Sequence, residues 1–317
     1  MIRLAIRSGD ALLRRAGARV QLFAAGVLFG LLAVLTRAAS LEGFSAGQVA
    51  TVRFALGALF TLWLFRLRPG TFRPVNRGLL ATRGLLGGLA AFLYFVALSR
   101  IPAGEATLLN NTFPIIATVL SFFLLRERPT VHIALALLVT SAGVFLVLGG
   151  GSLEVGLSWG EVAGIASAFL GAGAVTSIRA LRATDNAPTI FFAFSLGGLA
   201  VSWPFALGPW PGLGPVWLLA LGVALTSFLA QLLMTHAYGA LTVPEAAVWQ
   251  QLTPVASYLW ALALLDERTT AVGALGVAMG LAGVAYGSVL GHRPAARTAA
   301  SPPVPEPVEE IPPVNPT

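Results

Sequence analysis

Two short runs hold the polar groups with the most chemical meaning in an otherwise apolar chain. Thr107, Asn110, Asn111 and Pro114 stand at i, i+3, i+4 and i+7, so on a helix they share one face. Gln250, Gln251 and Pro254 repeat that pattern further along. Adjacent amides are costly toward lipid, so inside a helix bundle they turn to a neighbouring helix or to a wet cavity. On one reading both pairs hydrogen-bond a polar solute at mid-depth. On the other they are interhelical ties, each bond worth about 0.6 kcal/mol. Ser227, Gln231 and Thr235, at i, i+4 and i+8, make a third polar face. Tyr94, Trp249 and Tyr258 can wall a site by stacking on a ring or meeting a cation, or serve as ordinary bundle aromatics.

The charged residues divide in the same way. Arg53 lies about seven residues into an apolar run, roughly 10 Å deep at about 1.5 Å per residue. It attracts an anionic substrate group, pairs with Glu105, or snorkels outward along its own helix. Arg83 stands nearer the end of its run, where snorkelling is easier. Glu105 and Glu245 fall in first helical turns, where a carboxylate complements the dipole. A partly buried carboxylate there is also a candidate for a coupling proton. Pro114 and Pro254 each remove a helical hydrogen bond and bend the helix, as hinges or as static kinks. Glu127-Arg128 and Glu267-Arg268 end their runs and pin interface loops. The chain has no Cys, hence no thiolate metal site or cysteine nucleophile, and its three His are scattered at 132, 236 and 292. No nucleotide-binding loop is present. No cofactor, metal or catalytic group is expected.

The elements that position these residues follow from composition. Of the 317 residues 56% are hydrophobic and only 10% charged, with a mean hydropathy of +0.82; a soluble domain carries about 25% charged residues. Apolar runs near the length a helix needs to cross a bilayer, about 20 residues, lie at 20–39, 46–65, 78–98, 103–125, 130–149, 159–180, 188–208, 214–238, 243–265 and 270–290. They are too long for barrel strands, so the chain reads as an all-α integral membrane protein with ten transmembrane helices. The net charge of +7 comes from arginines between the runs, not from a basic face, so no nucleic acid partner is expected. With both termini cytoplasmic, fifteen arginines fall inside and only Arg37, Arg100 and Arg268 outside. A leader-like start, basic then apolar, is too long and has Arg37 where cleavage would be read, so it is taken as an uncleaved first span.

The chain also repeats itself, ungapped, at an offset of 140 residues. Glu105, Ala106, Pro114, Leu124, Leu125, Glu127, Arg128 and Thr130 meet Glu245, Ala246, Pro254, Leu264, Leu265, Glu267, Arg268 and Thr270. Phe54, Gly57 and Trp63 meet Phe194, Gly197 and Trp203. Five spans per copy is an odd number, so the second copy enters the membrane from the opposite side, an inverted repeat. The divisions are a basic arm over 1–19, a first repeat over 20–149, a second over 159–290 and a disordered cytoplasmic tail over 291–317. The differences between copies point to function: Arg53 faces Ala193, and Gln231 faces Ala91.

Arg53-Phe54 in the second span, Arg83-Gly84 opening the third, Ile-Pro-Ala-Gly-Glu-Ala from Ile101, and Glu127-Arg128 closing the fourth resemble the EamA branch of the drug/metabolite transporter superfamily. Ala237, Tyr238, Pro254, Glu267 and Arg268 resemble the same domain in the second half. The resemblance covers about 20–290 and implies two inverted five-helix repeats around a central cavity lined by the third, fourth, eighth and ninth spans. It implies a secondary active transporter of a small organic metabolite, an amino-acid-like, vitamin or drug-like solute, in the cytoplasmic membrane. The partners expected are that solute and the lipid bilayer, with the chain as monomer or homodimer. A channel or sensor is the alternative, and a membrane-embedded enzyme a more distant one. Asn110, Asn111, Gln231, Gln250, Gln251, Tyr94, Trp249 and Arg53 are the candidate substrate-binding residues.

Overall fold

The structure, a computed structural model, describes residues 2–101, 103–147, 158–264 and 270–291, and their side chains except those of 2–13, 15 and 103–105. The first half comprises α1 (Ile2–Leu41), α2 (Ala46–Leu67), α3 (Arg77–Arg100), α4 (Ala103–Asn110), α5 (Phe113–Leu124) and α6 (Val131–Val147). The second comprises α7 (Trp159–Leu181), α8 (Ala187–Ser202), continued by a 3-10 turn at Trp203–Ala206, α9 (Val216–Ala237), α10 (Val243–Gln250), α11 (Leu252–Leu264) and α12 (Ala271–Leu290). No strand occurs among the described residues. Among the described residues eight segments are long and apolar enough to cross a membrane, and α6 is a shorter apolar helix. Glu154, Glu267, Arg268, the side chain of Glu105 and the tail beyond Gly291 lie outside the described residues.

Local sequence sets the helix starts. Ser45 accepts the Gln48 N–H while the Gln48 side chain accepts the Ser45 N–H, a reciprocal cap that opens α2. Asn76, Asn186 and Thr270 cap α3, α8 and α12 through their side chains. Helix α1 is continuous from Ile2 to Leu41, and the part of it apolar enough to cross a membrane is Ala16–Leu41.

The fourth and ninth spans, expected to be single kinked helices, are each two helices. The break falls at Asn111–Thr112 in one half and at Gln251 in the other. A proline ring clashes with the carbonyl four residues earlier and has no N–H to offer it. Four residues before Pro114 is Asn110, the last residue of α4. Four before Pro254 is Gln250, the last of α10. Each proline therefore ends the helix at its own copy's amide pair.

The packing has the exchange symmetry of the sequence. Helix α1 lies on α9 as α7 lies on α3, and α2 meets α9 as α8 meets α3. Helices α4 and α5 lie on α7 as α10 and α11 lie on α1, while α2 packs on α8 and α6 on α12, each its own counterpart. Among the described residues there are pairs in which a residue touches its own equivalent. The Phe54 and Phe194 rings meet edge to face with centroids 5.1 Å apart, and Asn111 donates to Gln251. Such contacts mark a pseudo-two-fold axis. Glycines permit the closest approaches: a Cβ on Gly88 would sit 2.5 Å from the Gly198 nitrogen, and one on Gly143 would sit 2.6 Å from the Gly280 nitrogen. Large apolar side chains such as Trp63, Phe123 and Leu218 face outward, while Thr51, Thr140, Ser167 and Ser195 are buried, the distribution of a bundle solvated by lipid.

Candidate functional site

A cavity of about 150 Å³ lies at this axis, where both halves contribute to its wall. Its polar lining is Arg53 from α2, Arg83 and Tyr94 from α3, Thr107 and Asn110 from α4, Asn111 at the first break, Gln231 from α9, Gln250 from α10 and Thr253 from α11. Phe29, Leu32, Phe113, Val175, Phe194 and Met234 supply the apolar lining. The helix breaks explain why the amides are here. Where α4 and α10 stop, backbone groups lose their intrahelical partners, and irregular backbone at membrane depth is tolerated where protein or a wet cavity surrounds it.

Six of the eight expected binding residues line the cavity: Asn110, Asn111, Gln231, Gln250, Tyr94 and Arg53. Asn110 donates through Nδ2 to Ser167 Oγ on α7 at 2.8 Å. The Tyr94 hydroxyl and Thr107 Oγ1 are 2.9 Å apart. Gln250 Nε2 reaches Met234 Sδ at 3.0 Å, a weak acceptor that leaves the amide available to a better one.

Gln251 and Trp249 are absent from the wall. Gln251 is buried, accepting from Asn111 and donating through Nε2 to Ser141 Oγ at 3.1 Å. It is an interhelical tie. Trp249 packs between two apolar clusters, one around α7 and α9 and one around α6 and α12. Glu245 is likewise a cap: its Oε2 accepts the Thr242 N–H at 3.1 Å, and the Thr242 side chain accepts the Glu245 N–H. That arrangement is the helix-start role, not a cavity carboxylate.

Arg83 is the residue whose place differs most from expectation. It does not snorkel to the surface; it is 3% exposed and lines the cavity. Its guanidinium carbon lies 4.2 Å from the Phe194 ring centroid, and Nη2 reaches Gln231 Oε1 at 3.4 Å. Nε and Nη1 have no hydrogen-bond partner among the described residues. Arg53, 5% exposed, donates through Nε to Ser227 Oγ at 2.5 Å and lies 5.1, 5.4 and 5.6 Å from the Phe54, Phe95 and Phe194 rings. A desolvated cation over a ring gains about 2 kcal/mol, whereas burial costs each ion several kcal/mol. For Arg83, which has a single ring, that contact alone does not offset the cost.

A signal for Arg83 was present in the sequence. Gly87, Ala90 or Ala91 and Tyr94 follow it at helical spacing, so Arg83 and Tyr94 lie on one stripe about three turns apart. Depth from the helix end points to snorkelling; the phase of the face points inward.

At one end of the bundle three turns are tied together. Glu127, after α5, accepts Arg179 Nε at 2.8 Å through Oε1 and the Val243 N–H at 2.7 Å through Oε2. Arg179 also donates through Nη1 to the Tyr238 carbonyl at 3.1 Å. A single carboxylate thus joins the first half to the ends of α7 and α9 and the start of α10. The position equivalent to Glu127 is Glu267, outside the described residues; Arg179 corresponds to Ala39, and Arg37 donates through Nη1 at 3.2 Å to the carbonyl of Leu98, the counterpart of Tyr238.

The family model described as "EamA-like transporter family" matches the chain twice, over residues 18–149 and 158–288. The chain is similar to the pseudopaline exporter CntI of Pseudomonas aeruginosa (strain UCBPP-PA14), 28% identical over 216 residues that cover 68% of this chain and 75% of the relative. It is similar also to an uncharacterized transporter of Helicobacter pylori (strain J99), 25% identical over 227 residues covering 68% and 75%. One solved crystal structure superposes with a TM-score of 0.73 over 87% of this chain and 98% of the other, at 22% identity, a likeness of fold.

Proposed function

Because the chain belongs to the EamA-like transporter family, we propose that it is a secondary active carrier that moves a small organic metabolite across the cytoplasmic membrane by alternating access. The observation that carries this reading is the cavity on the pseudo-two-fold axis, walled by polar groups at two helix breaks. Inverted-repeat carriers bind their solutes at such a seam of discontinuous helices. We read ten membrane crossings, with α4–α5 and α10–α11 each crossing as one broken span and α6 as a short one. The repeats run over 20–149 and 159–290 in opposite orientations with both ends cytoplasmic. The positive-inside distribution of arginine supports this orientation. Export is the direction inferred, on the ground that the Pseudomonas aeruginosa relative is called an exporter.

In this reading Asn110, Asn111, Gln231, Gln250, Tyr94 and Arg53 contact the solute. Rocking of the halves exposes the cavity to each side in turn, and Pro114 and Pro254 fix where the helices flex. Glu105 is retained as a candidate for proton coupling, whereas Glu245 is occupied as a cap.

The test is counterflow in proteoliposomes. A carrier exchanges labelled solute against an internal excess, and a channel only equilibrates it. Replacing Asn110, Gln231 or Gln250 singly by Leu is expected to lower transport at least tenfold with membrane expression unchanged. Wild-type rates in all three variants would remove these residues from the site.

A further inference from the structure

We propose that the solute carries an oxyanionic group, a carboxylate or a phosphate, and that Arg83, with Arg53 beside it, is the receptor for that group. The proposal rests on the carrier reading and narrows its substrate class.

Two guanidiniums share one cavity, and among the described residues lining it none is Asp or Glu. Both lie against the same Phe194 ring, at 4.2 and 5.6 Å from its centroid. Arg53 has a hydroxyl partner in Ser227, which stabilises the cation without neutralising it. Arg83 has less: two of its three nitrogens are unpartnered among the described residues, and the third meets Gln231 only at 3.4 Å. Like charges in a site of low dielectric repel, and an anion bound beside both converts that repulsion into attraction on each side. Arginine is suited to this because its planar fork matches carboxylate and phosphate oxygens and it is weakly hydrated.

Both cations come from the first repeat. Their counterparts in the second are Ala193 and Val223. Neutral hydrogen-bonding groups come from both repeats, Tyr94, Thr107 and Asn110 from the first and Gln250 from the second, and can meet an uncharged part of the solute. Room for the Arg83 head is provided by a glycine: a methyl group at Gly87 would collide with Arg83 Nη1. Gln231 completes the receptor by orienting the guanidinium from α9.

The full chain is reconstituted in liposomes loaded with an aqueous extract of bacterial small metabolites. Compounds released beyond those from protein-free liposomes are identified by mass. Release of carboxylates or phosphates, reduced at least tenfold in Arg83→Gln and in Gly87→Ala but partly kept in Arg83→Lys, supports the proposal. Which of the two anion classes leaves identifies the group. Release of neutral or cationic compounds only overturns the proposal and leaves the carrier reading intact. Anion release that is unaltered in Arg83→Gln and Gly87→Ala overturns the receptor assignment. If nothing leaves above the protein-free baseline, the carrier reading fails and this proposal with it. Should Arg83→Gln fail to purify as a folded protein, the charge class released by the wild type still decides the substrate.

Discussion

Gln250 and Gln251 are neighbours in the chain with separate roles. The first faces the cavity against Met234, and the second is buried between Asn111 and Ser141. Replacing Gln251 with Leu removes two interhelical hydrogen bonds, so thermal unfolding of the purified protein should show a loss of about 1 kcal/mol. Gln250→Leu is expected to leave the melting temperature nearly unchanged while transport falls. The opposite pattern would refute the division of roles. Repetition made all four amides readable in the sequence, because a chance polar pair does not recur at a fixed offset. It could not assign each member of a pair to a face, since adjacent helical positions point about 100° apart and the phase is set by tertiary packing. The same ambiguity of phase applies to Trp249, which packs between apolar clusters. For Arg83, distance from the helix end suggests an escape to water that the Phe194 ring and the neighbouring α8 do not leave open.

The broken helices are the elements in which sequence and structure are most tightly linked. Pro114→Ala restores an N–H and removes the ring clash, so α4 and α5 should join across Asn111. The expected result is equal or higher thermal stability with slower counterflow, because the amides no longer sit at a helix end. Faster or unchanged counterflow would show that the break is only a static bend. Prolines were visible in the sequence as points of bending. That each would end a helix four residues earlier depends on whether neighbours can take up the freed carbonyl, and only the assembled bundle decides that. The turns tied by Glu127 give a second element-level prediction. The chain has no Cys, so a single Thr253→Cys provides a unique thiol in the cavity wall. Adding Glu127→Gln should speed its alkylation several-fold by loosening the tie to Arg179 and Val243. An unchanged rate would mean that these contacts do not gate access.

For the molecule as a whole, the ungapped repeat foretold the exchange symmetry of the packing, since a duplicated sequence buries duplicated faces. It did not foretell which helices meet at the axis, because that depends on small-residue seams such as Gly88 against Gly198. The proposed topology has a direct test. A reporter active only in the cytoplasm should be active when fused after Leu290 and inactive when inserted at 154. Activity at both positions would exclude opposite orientation of the repeats. The contact between Asn111 and Gln251 has a consequence for how such a chain can change. If each half were a separate polypeptide pairing with its twin, one codon would specify both partners of an axial contact, and any mutation there would meet its own copy. Joining the halves in one reading frame lifts that restriction. An Asn opposite a Gln is a mixed pair that a chain pairing with its identical twin cannot make, and the axis is therefore where fusion most enlarges the set of sites that mutation can reach.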